Sequence, residues 1–301
     1  MKCFYHTDMD GKCAGAIVYK FYKLDRDYTK EIGEQCEFIP INYNDDFPFN
    51  KIVPNETIII VDFSLQKDGE FEKLKAITDK IIWIDHHKTS IEKHKDFECI
   101  GVRKDGVAGC VLAWQYFYPN KELPRIVDML GAYDIWDFSK YGNELNELQA
   151  GIRLFNTKPE SPEWEKWLST EIVGAELDGI GFLNDGLFGL GSLLENGRIA
   201  LKYRDNTWSG LIKAWSFWVE FEGYKAICCN AGSVSSQLFD SVKEDYDLMM
   251  SFVFDGKQWT VSIYSKKDID CSKIAKKYGG GGHKKAAGFQ CKELPFSPKE
   301  T

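Results

Sequence analysis

The N-terminal half of the chain alternates short apolar runs with amphipathic stretches. Four runs rich in Ile, Val and aromatic residues have the length and composition of β-strands; they cover residues 2–5, 37–41, 57–63 and 80–84. Residues 11–24 repeat apolar side chains at spacings of three and four, as one face of a helix does, and shorter repeats at 71–77 and 111–116 indicate two more helices. Strands and helices in alternation predict an α/β fold with a mostly parallel sheet flanked by helices.

The pattern changes after about residue 150. Residues 164–206 are predicted to be largely helical. Strand-like runs then return at residues 215–221, 225–229, 248–254 and 259–264, and a last helical repeat covers 271–278. We therefore expect an N-terminal domain over residues 1–150, a helical connector over 151–206 and a smaller mixed α/β domain over 207–301.

Composition and charge narrow the class of protein. Hydrophobic residues make up 44% and charged residues 28% of the chain, as in ordinary globular proteins. Because we find no signal peptide and no apolar run long enough to span a bilayer, we expect a cytoplasmic protein without a membrane partner. The net charge of −8 argues against binding of long duplexes through a broad basic face. The nine cysteines contain no C-x-x-C pair, so we expect reduced thiols rather than a structural zinc site.

Acidic residues and histidines follow three of the predicted strands directly. They are His6, Asp8 and Asp10 after the first, Asp62 directly after the apolar residues 57–61 of the third, and Asp85, His86 and His87 after the fourth. Ligands of open α/β sheets bind at the carboxyl ends of strands. Such a crowd of carboxylates is repulsive unless cations neutralise it, and two divalent cations about 3.5–4 Å apart would do so and would activate water. Asp8 alone could equally be a helix N-cap, whereas His94, between two lysines, is predicted to be a solvated surface residue.

Together with Asp134, in the sequence Gly131-Ala132-Tyr133-Asp134, these residues resemble the four motifs of the DHH phosphoesterase superfamily in their family order. That superfamily includes RecJ-like exonucleases, nano-RNases, cyclic-dinucleotide phosphodiesterases and family II inorganic pyrophosphatases. The resemblance implies one metal ion bound by His6, Asp8 and Asp62. It implies a second ion bound by Asp10, Asp62, His86 and Asp134, with Asp62 bridging the two.

The resemblance also assigns roles to the remaining motif residues. His87 would contact the scissile phosphate, and Asp85 would support the histidine pair, so both are candidate catalytic residues. Mixed nitrogen and oxygen ligands favour Mn²⁺, with Mg²⁺ or Co²⁺ as alternatives. Asp137 lies three residues beyond Asp134 and competes with it for the site; the residues before Asp134 match the family motif, so we expect Asp137 to be a capping or surface residue.

A glycine-rich stretch near the C-terminus carries the second resemblance. Four glycines ending at Gly282 are followed by His283 and Lys284, and exposed amides of such a stretch can approach a ligand closely. A flexible linker is the alternative interpretation. The stretch is similar to the DHHA1 substrate-binding motif, which counts against a pyrophosphatase, although Lys284 stands where the family usually has proline. We expect Gly281, Gly282, His283, Lys284 and, from the first domain, His87 to bind substrate.

The first hypothesis for function is therefore hydrolysis of short single-stranded oligoribonucleotides to mononucleotides by two-metal activation of water. Two alternatives stay open. One is a phosphohydrolase acting on cyclic nucleotides, dinucleotides or 3′-phosphoadenosine 5′-phosphate. The other is a nucleotide-binding regulatory module without catalysis, against which the intact set of metal-site residues argues.

Overall fold

The computed structural model describes residues 1–25, 36–169 and 189–297. The chain folds into two compact units, Met1–Ala200 and Leu201–Thr301. Part of the predicted helical connector, residues 170–188, lies outside the described residues. None of the helices within the described ranges is long and apolar enough to cross a membrane.

The first unit is built on a four-stranded parallel sheet. Its strands are β1 (Lys2–His6), β2 (Glu37–Ile41), β3 (Ile58–Val61) and β4 (Ile81–Ile84), in the order β2-β1-β3-β4. In the register of the sheet, Tyr5 pairs with Val61 and Val61 pairs with Ile84. Three strands therefore end at the same level, and the residues that follow them emerge side by side. The predicted parallel α/β sheet is confirmed.

Helices cover both faces of this sheet. They are α1 (Met9–Tyr19), α2 (Glu70–Ile77), α3 (Lys88–Lys93), α4 (Gly109–Phe117), α5 (Arg125–Asp134), α6 (Glu144–Ile152) and α7 (Glu163–Trp167). The helix predicted at residues 11–24 is α1 followed by a π-helical turn, Lys20–Asp25. One core packs side chains such as Ile59 and Val61 against α1, α4 and α5. The other packs Ile58 and Ile60 against α2, which explains why β3 is apolar at every position.

The second unit contains a mixed six-stranded sheet. Helix α8 (Leu190–Trp215) contains the boundary between the units and is followed by β5 (Ser216–Phe221), β6 (Tyr224–Asn230), β7 (Leu248–Phe254), β8 (Trp259–Tyr264), α9 (Cys271–Lys277), β9 (Gly281–Gly282) and β10 (Ala286–Cys291). The strand order is β5-β6-β7-β8-β10-β9, with β6 and β7 parallel and the other pairs antiparallel. The predicted mixed α/β character of this region is confirmed, but β9 and β10 were not predicted.

Two local predictions have clear outcomes. All nine cysteines lie in the described part of the chain and are free thiols, as expected. The prediction for His94 is wrong, because its ring packs 4.8 Å from the ring of Phe71 and its Nε2 lies 3.1 Å from the carbonyl oxygen of Leu65. The prediction rested on the two neighbouring lysines, but His94 lies at the end of α3 and its ring packs against the protein.

Candidate metal centre

The level strand ends bring the first set of predicted residues together. His6 is the last residue of β1, Asp62 follows β3, and Asp85 follows β4. The amide of Asp62 donates to the carbonyl oxygen of Ile84 at 2.9 Å, after which the backbone turns into the left-handed region with φ +53°. A short polar side chain tolerates this conformation better than most. The turn at Asp62 ends the strand at the edge where the other polar residues emerge.

Asp8 caps a helix with one carboxylate oxygen, and its other oxygen faces the predicted metal ligand His6. Its Oδ1 accepts from the amide of Gly11 at 2.8 Å, which caps α1. Its Oδ2 lies 2.8 Å from Nδ1 of His6. Gly11 is required here, since a Cβ at this position would lie 2.3 Å from the carbonyl oxygen of His6. The cap interpretation and the ligand interpretation of Asp8 are therefore compatible.

Asp10 is held by backbone amides at the start of α4, a contact that the sequence motifs do not indicate. Its Oδ2 accepts from the amide of Gly109 at 2.7 Å and its Oδ1 from the amide of Cys110 at 2.8 Å. Both amides belong to the first turn of α4, where they lack partners within the helix. The start of α4 can lie this close to the cluster only because residue 109 is glycine. A Cβ added at Gly109 would lie 2.8 Å from Cβ of Asp62.

His86 lies among three carboxylates. Its Nε2 is 3.1 Å from Asp62 Oδ1, 3.4 Å from Asp134 Oδ2 and 3.7 Å from Asp10 Oδ2. Ligand atoms in this region fall into three groups whose members all lie within 4.8 Å of one another; the groups are His6, Asp8 and Asp62, then Asp10, His86 and Asp134, then Asp62, His86 and His87. Asp62 belongs to two of the groups, so the predicted metal-site residues form one continuous cluster.

The electrostatics of the cluster suit cations. Asp62 is only 1% exposed, and neither of its carboxylate oxygens has a hydrogen-bond partner among the described residues. Burial raises the pKa of the Asp62 carboxyl to about 8, and burial together with Asp62 and Asp134 raises the pKa of Asp10 well above its usual range. Burial lowers the pKa of His6, but contacts with Asp62 and Asp8 outweigh it and raise that pKa to about 10. Buried, unpaired carboxylates are costly, and divalent cations would supply the missing partners.

The two predicted catalytic residues, Asp85 and His87, contact each other, and Tyr43 contacts His87 as well. Oδ1 of Asp85 accepts from the amides of His86 at 2.8 Å and His87 at 3.2 Å, and it lies 2.7 Å from Nδ1 of His87. On the other side of the ring, Nε2 of His87 lies 2.7 Å from the hydroxyl of Tyr43. Tyr43 stacks on Phe63 with ring centroids 5.6 Å apart. Tyr43 was not predicted, because it lies in a loop and belongs to none of the motifs.

The structure separates the two competing aspartates. Asp134 is the last residue of α5 and its side chain reaches His86. Asp137 is exposed, and its Oδ1 accepts from the amide of Ser139 at 3.0 Å and from its hydroxyl at 2.6 Å. Asp137 therefore caps a turn outside the cluster, in line with the sequence-based preference for Asp134.

In the second unit the predicted substrate residues lie on an exposed hairpin. Gly281 and Gly282 form β9, and the amide of His283 donates to the carbonyl oxygen of Ala286 at 2.7 Å. Gly282 has φ +135°, and a Cβ there would lie 2.6 Å from Cα of Ala287, so this glycine is needed for strand pairing. Nζ of Lys284 lies 2.6 Å from an oxygen of Asp268, which offsets its charge.

A groove of about 550 Å³ runs along the same glycine-rich segment. Its lining combines backbone and small polar side chains, from Thr260, Val261, Ser262, Gly279, Gly280, Gly288, Phe289 and Gln290. The side-chain hydroxyls of Thr260 and Ser262 and the side-chain amide of Gln290 are groups suited to bind a polar ligand. The groove is thus a second candidate binding surface, lined by residues of the second unit.

Comparison with known families identifies the class of protein. Residues 3–132 match the DHH family, N-terminal domain, and residues 230–299 match the DHHA1 domain. The two matches come in the order expected from the sequence motifs and include most of the chain. The chain therefore belongs to the DHH/DHHA1 superfamily of phosphoesterases.

Individual relatives are distant. An uncharacterized protein of Acanthamoeba polyphaga mimivirus is 24% identical over 303 residues, which cover 93% of this chain and 64% of the relative. This chain thus spans less than two thirds of the length of that curated relative. The solved structure of PggH, a pGpG-specific phosphodiesterase from Vibrio cholerae, is 13% identical and superimposes with a TM-score of 0.50, covering 97% of this chain and 93% of the other. The DHH domain of a member of the s1p family of ribosomal proteins is 17% identical, with a TM-score of 0.52 and coverages of 95% and 81%. These structures share the fold.

Proposed function

We propose that this protein is a metal-dependent phosphodiesterase that hydrolyses short oligoribonucleotides to mononucleotides. The observation that carries the proposal is the Asp62 carboxylate, which is buried, accepts no hydrogen bond from the described residues and lies within two groups of ligand atoms. A protein that only bound nucleotides through its second unit would have no need to keep this charge buried. The cost of the buried carboxylate thus favours an enzyme over a regulatory module.

The residues present fit two divalent cations. His6, Asp8 and Asp62 would hold one, and Asp10, Asp62, His86 and Asp134 would hold the other. These oxygen and nitrogen ligands suit Mn²⁺, with Mg²⁺ and Co²⁺ as alternatives. When bound, such cations lower the pKa of water and stabilise negative charge on phosphoryl oxygens.

Residues beside the metal ligands would position the substrate phosphate. The amides of His86 and His87 fix the carboxylate of Asp85, and Asp85 fixes Nδ1 of His87. The hydroxyl of Tyr43 steadies the opposite nitrogen of the same ring. Asp85 fixes the orientation of the His87 ring, so we propose that Nε2 of His87 contacts the scissile phosphate in place of the Tyr43 hydroxyl and that this hydroxyl contacts the same phosphate.

The proposed substrate class rests on the net charge of the chain and on the glycine-rich hairpin of the second unit. A net charge of −8 is unfavourable for long nucleic acids, whose binding depends on neutralising many phosphates, so we propose short single-stranded substrates. We propose that the hairpin with Gly281, Gly282, His283 and Lys284 holds the nucleotide or its phosphate. In functional terms, residues 1–150 would form the catalytic domain, 151–206 a connector and 207–301 the substrate-binding domain.

Linear or cyclic dinucleotides are the alternative substrates, together with 3′-phosphoadenosine 5′-phosphate. The decisive assay incubates purified protein with labelled di- to pentaribonucleotides, cyclic dinucleotides or 3′-phosphoadenosine 5′-phosphate, with Mn²⁺ and with or without a chelator. We expect mononucleotides from the linear substrates only when metal is available. Tight nucleotide binding without turnover would instead establish the regulatory module.

A matched pair of variants tests the metal assignment within the same assay. Asp134→Asn should lose turnover, because its side chain reaches His86 in the cluster. Asp137→Asn should retain it, because the Asp137 side chain is exposed and accepts its hydrogen bonds from Ser139, outside the cluster. Equal effects of the two substitutions would contradict the ligand set proposed here.

A further inference from the structure

An exposed aromatic surface is formed by residues on either side of Asp134 in the sequence. Its three rings belong to Tyr133, Trp136 and Phe138, and we refer to them as the aromatic platform. The ring centroids of Trp136 lie 5.9 Å from Tyr133 and 5.7 Å from Phe138, with interplanar angles of 27° and 32°. Tyr133 and Phe138 pack against the core, whereas Trp136 is 74% exposed. Two rings therefore support a third that presents its surface to solvent.

The backbone at Trp136 is unfavourable for this residue type. Helix α5 ends with the amide of Ile135 donating to Gly131 and the amide of Asp137 donating to Ala132 at 2.8 Å. The residue enclosed by this helix ending, Trp136, has φ +57°. Glycine is the residue that most often occupies such a left-handed position, and a bulky side chain there is strained. The left-handed backbone at position 136 therefore favours glycine. An exposed position also gives no reason for a large apolar ring, because burial does not stabilise it there.

Strained backbone combined with an exposed aromatic ring is typical of a binding site. The location supports that interpretation, because Trp136 is two residues beyond Asp134, whose carboxylate lies 3.4 Å from His86. Two peptide units span at most about 7.6 Å between Cα atoms. The backbone of Trp136 is therefore adjacent to a residue of the proposed metal centre, within reach of a base attached through its sugar to a phosphate bound at that centre.

We propose that the aromatic platform is a stacking site for a nucleobase of the substrate, with Trp136 as the ring in contact. This inference rests on the proposed function and deepens it, since it requires a base next to the scissile phosphate. Every base has a flat face, so stacking gives affinity with little base preference. Removal of one stacking partner weakens binding by about 5- to 150-fold.

The test compares Trp136→Gly with Trp136→Phe. The substrates are a ribodinucleotide and its analogue without bases, assayed with Mn²⁺. We expect Trp136→Gly to lower kcat/KM for the dinucleotide about 5- to 150-fold more than for the abasic analogue, mainly through KM. Trp136→Phe should lie between this variant and the wild type. The thermal stability of Trp136→Gly should equal or exceed that of the wild type, because glycine relieves the left-handed backbone.

Two control variants separate stacking from backbone and surface effects. Asn55→Gly introduces glycine at another exposed left-handed position, φ +63°, without loss of a ring. Leu154→Ala removes another large exposed apolar side chain of the first unit, 60% exposed. Both controls should keep the wild-type ratio of kcat/KM for the two substrates.

Calorimetric binding of a nucleoside 5′-monophosphate with Mn²⁺ gives a second readout that needs no turnover. An active wild type whose Trp136→Gly variant keeps both its substrate ratio and its nucleotide affinity would overturn the stacking site and leave the proposed function standing. A wild type that cleaves no nucleotide would refute the proposed function. The calorimetric comparison then decides the platform alone: reduced affinity in Trp136→Gly supports it and equal affinity overturns it.

Discussion

The close approach of α4 to the metal centre makes Gly109 a sensitive position. Its amide donates to Asp10, and its missing side chain leaves the room that Asp62 occupies. The substitution Gly109→Ala is the smallest change that tests this arrangement. It adds one carbon, keeps the amide donor and changes no charge.

The size of the effect follows from three distances. The added Cβ would lie 2.8 Å from Cβ of Asp62, 2.9 Å from its Oδ1 and 3.0 Å from Oδ2 of Asp10. Carbon atoms pack best at about 3.5–4.0 Å, so Asp62 has to move by about 0.7–1.2 Å. A misplacement of about 1 Å at a reacting centre costs about 100-fold in rate. Overpacking of this kind costs about 1–3 kcal/mol in the free energy of unfolding.

Metal binding by calorimetry, hydrolysis of a diribonucleotide and denaturant unfolding would together measure this effect. We expect weaker binding of Mn²⁺, kcat/KM lower by about 100-fold and a loss of about 1–3 kcal/mol in stability. Gly210→Ala is the matched control, because a Cβ at Gly210 meets no atom within 4 Å and alanine favours the interior of α8. A folded Gly109→Ala protein with wild-type metal affinity and turnover would refute the reasoning. It would show that a shift of Asp62 by this amount affects neither metal binding nor catalysis.

Four further predictions concern the cluster and the hairpin. Asp62→Asn should abolish turnover. At a pH above about 8, where the Asp62 carboxyl is ionised, it should also raise the melting temperature of the metal-free protein, measured by calorimetry, since it removes a buried charge; a lower melting temperature at that pH would contradict this account. Tyr43→Phe should lower kcat/KM about 2- to 12-fold, the value of one hydrogen bond, and steady-state kinetics showing no change would exclude a role for its contact with His87. The pKa values of Asp62 and His6 are raised to about 8 and about 10; the folded state therefore holds protons that the unfolded state releases, so a pH series of unfolding should show metal-free stability falling from about pH 4 to pH 10, whereas a rise would show the opposite linkage. His283→Ala should raise KM about 2- to 12-fold with kcat retained, and an unchanged KM would remove it from the substrate site.

The sheet and its chemistry could be predicted because the informative residues adjoin their strands in sequence. Buried parallel strands are apolar at every position, and β3 and β4 follow that pattern up to the residue before Asp62 and Asp85. The rule that ligands bind at carboxyl ends of strands then placed both residues at one edge. The level register of β1, β3 and β4 confirms the geometry that this reasoning required.

Other features of the site and the fold could not be predicted, because the residues near them in the sequence do not indicate them. The amides that hold Asp10 come from residues 99 and 100 positions further along the chain, and a backbone amide has no signature in the sequence. Tyr43 lies two residues beyond the end of β2, whose Ile41 pairs with His6, but none of the motifs includes it. Strand β10 contains alanine and glycine in place of β-branched residues, so its composition did not indicate a strand.

The left-handed backbone at Asp62 has a practical consequence for trapping a complex. Asparagine, like aspartate, is enriched several-fold in that conformation, whereas a β-branched or bulky replacement would be an outlier. An amide in place of the carboxylate also keeps the shape of the side chain while withdrawing its charge. Crystals of that isosteric form, soaked with an intact dinucleotide, should therefore retain uncleaved ligand and reveal which groups of the protein it touches.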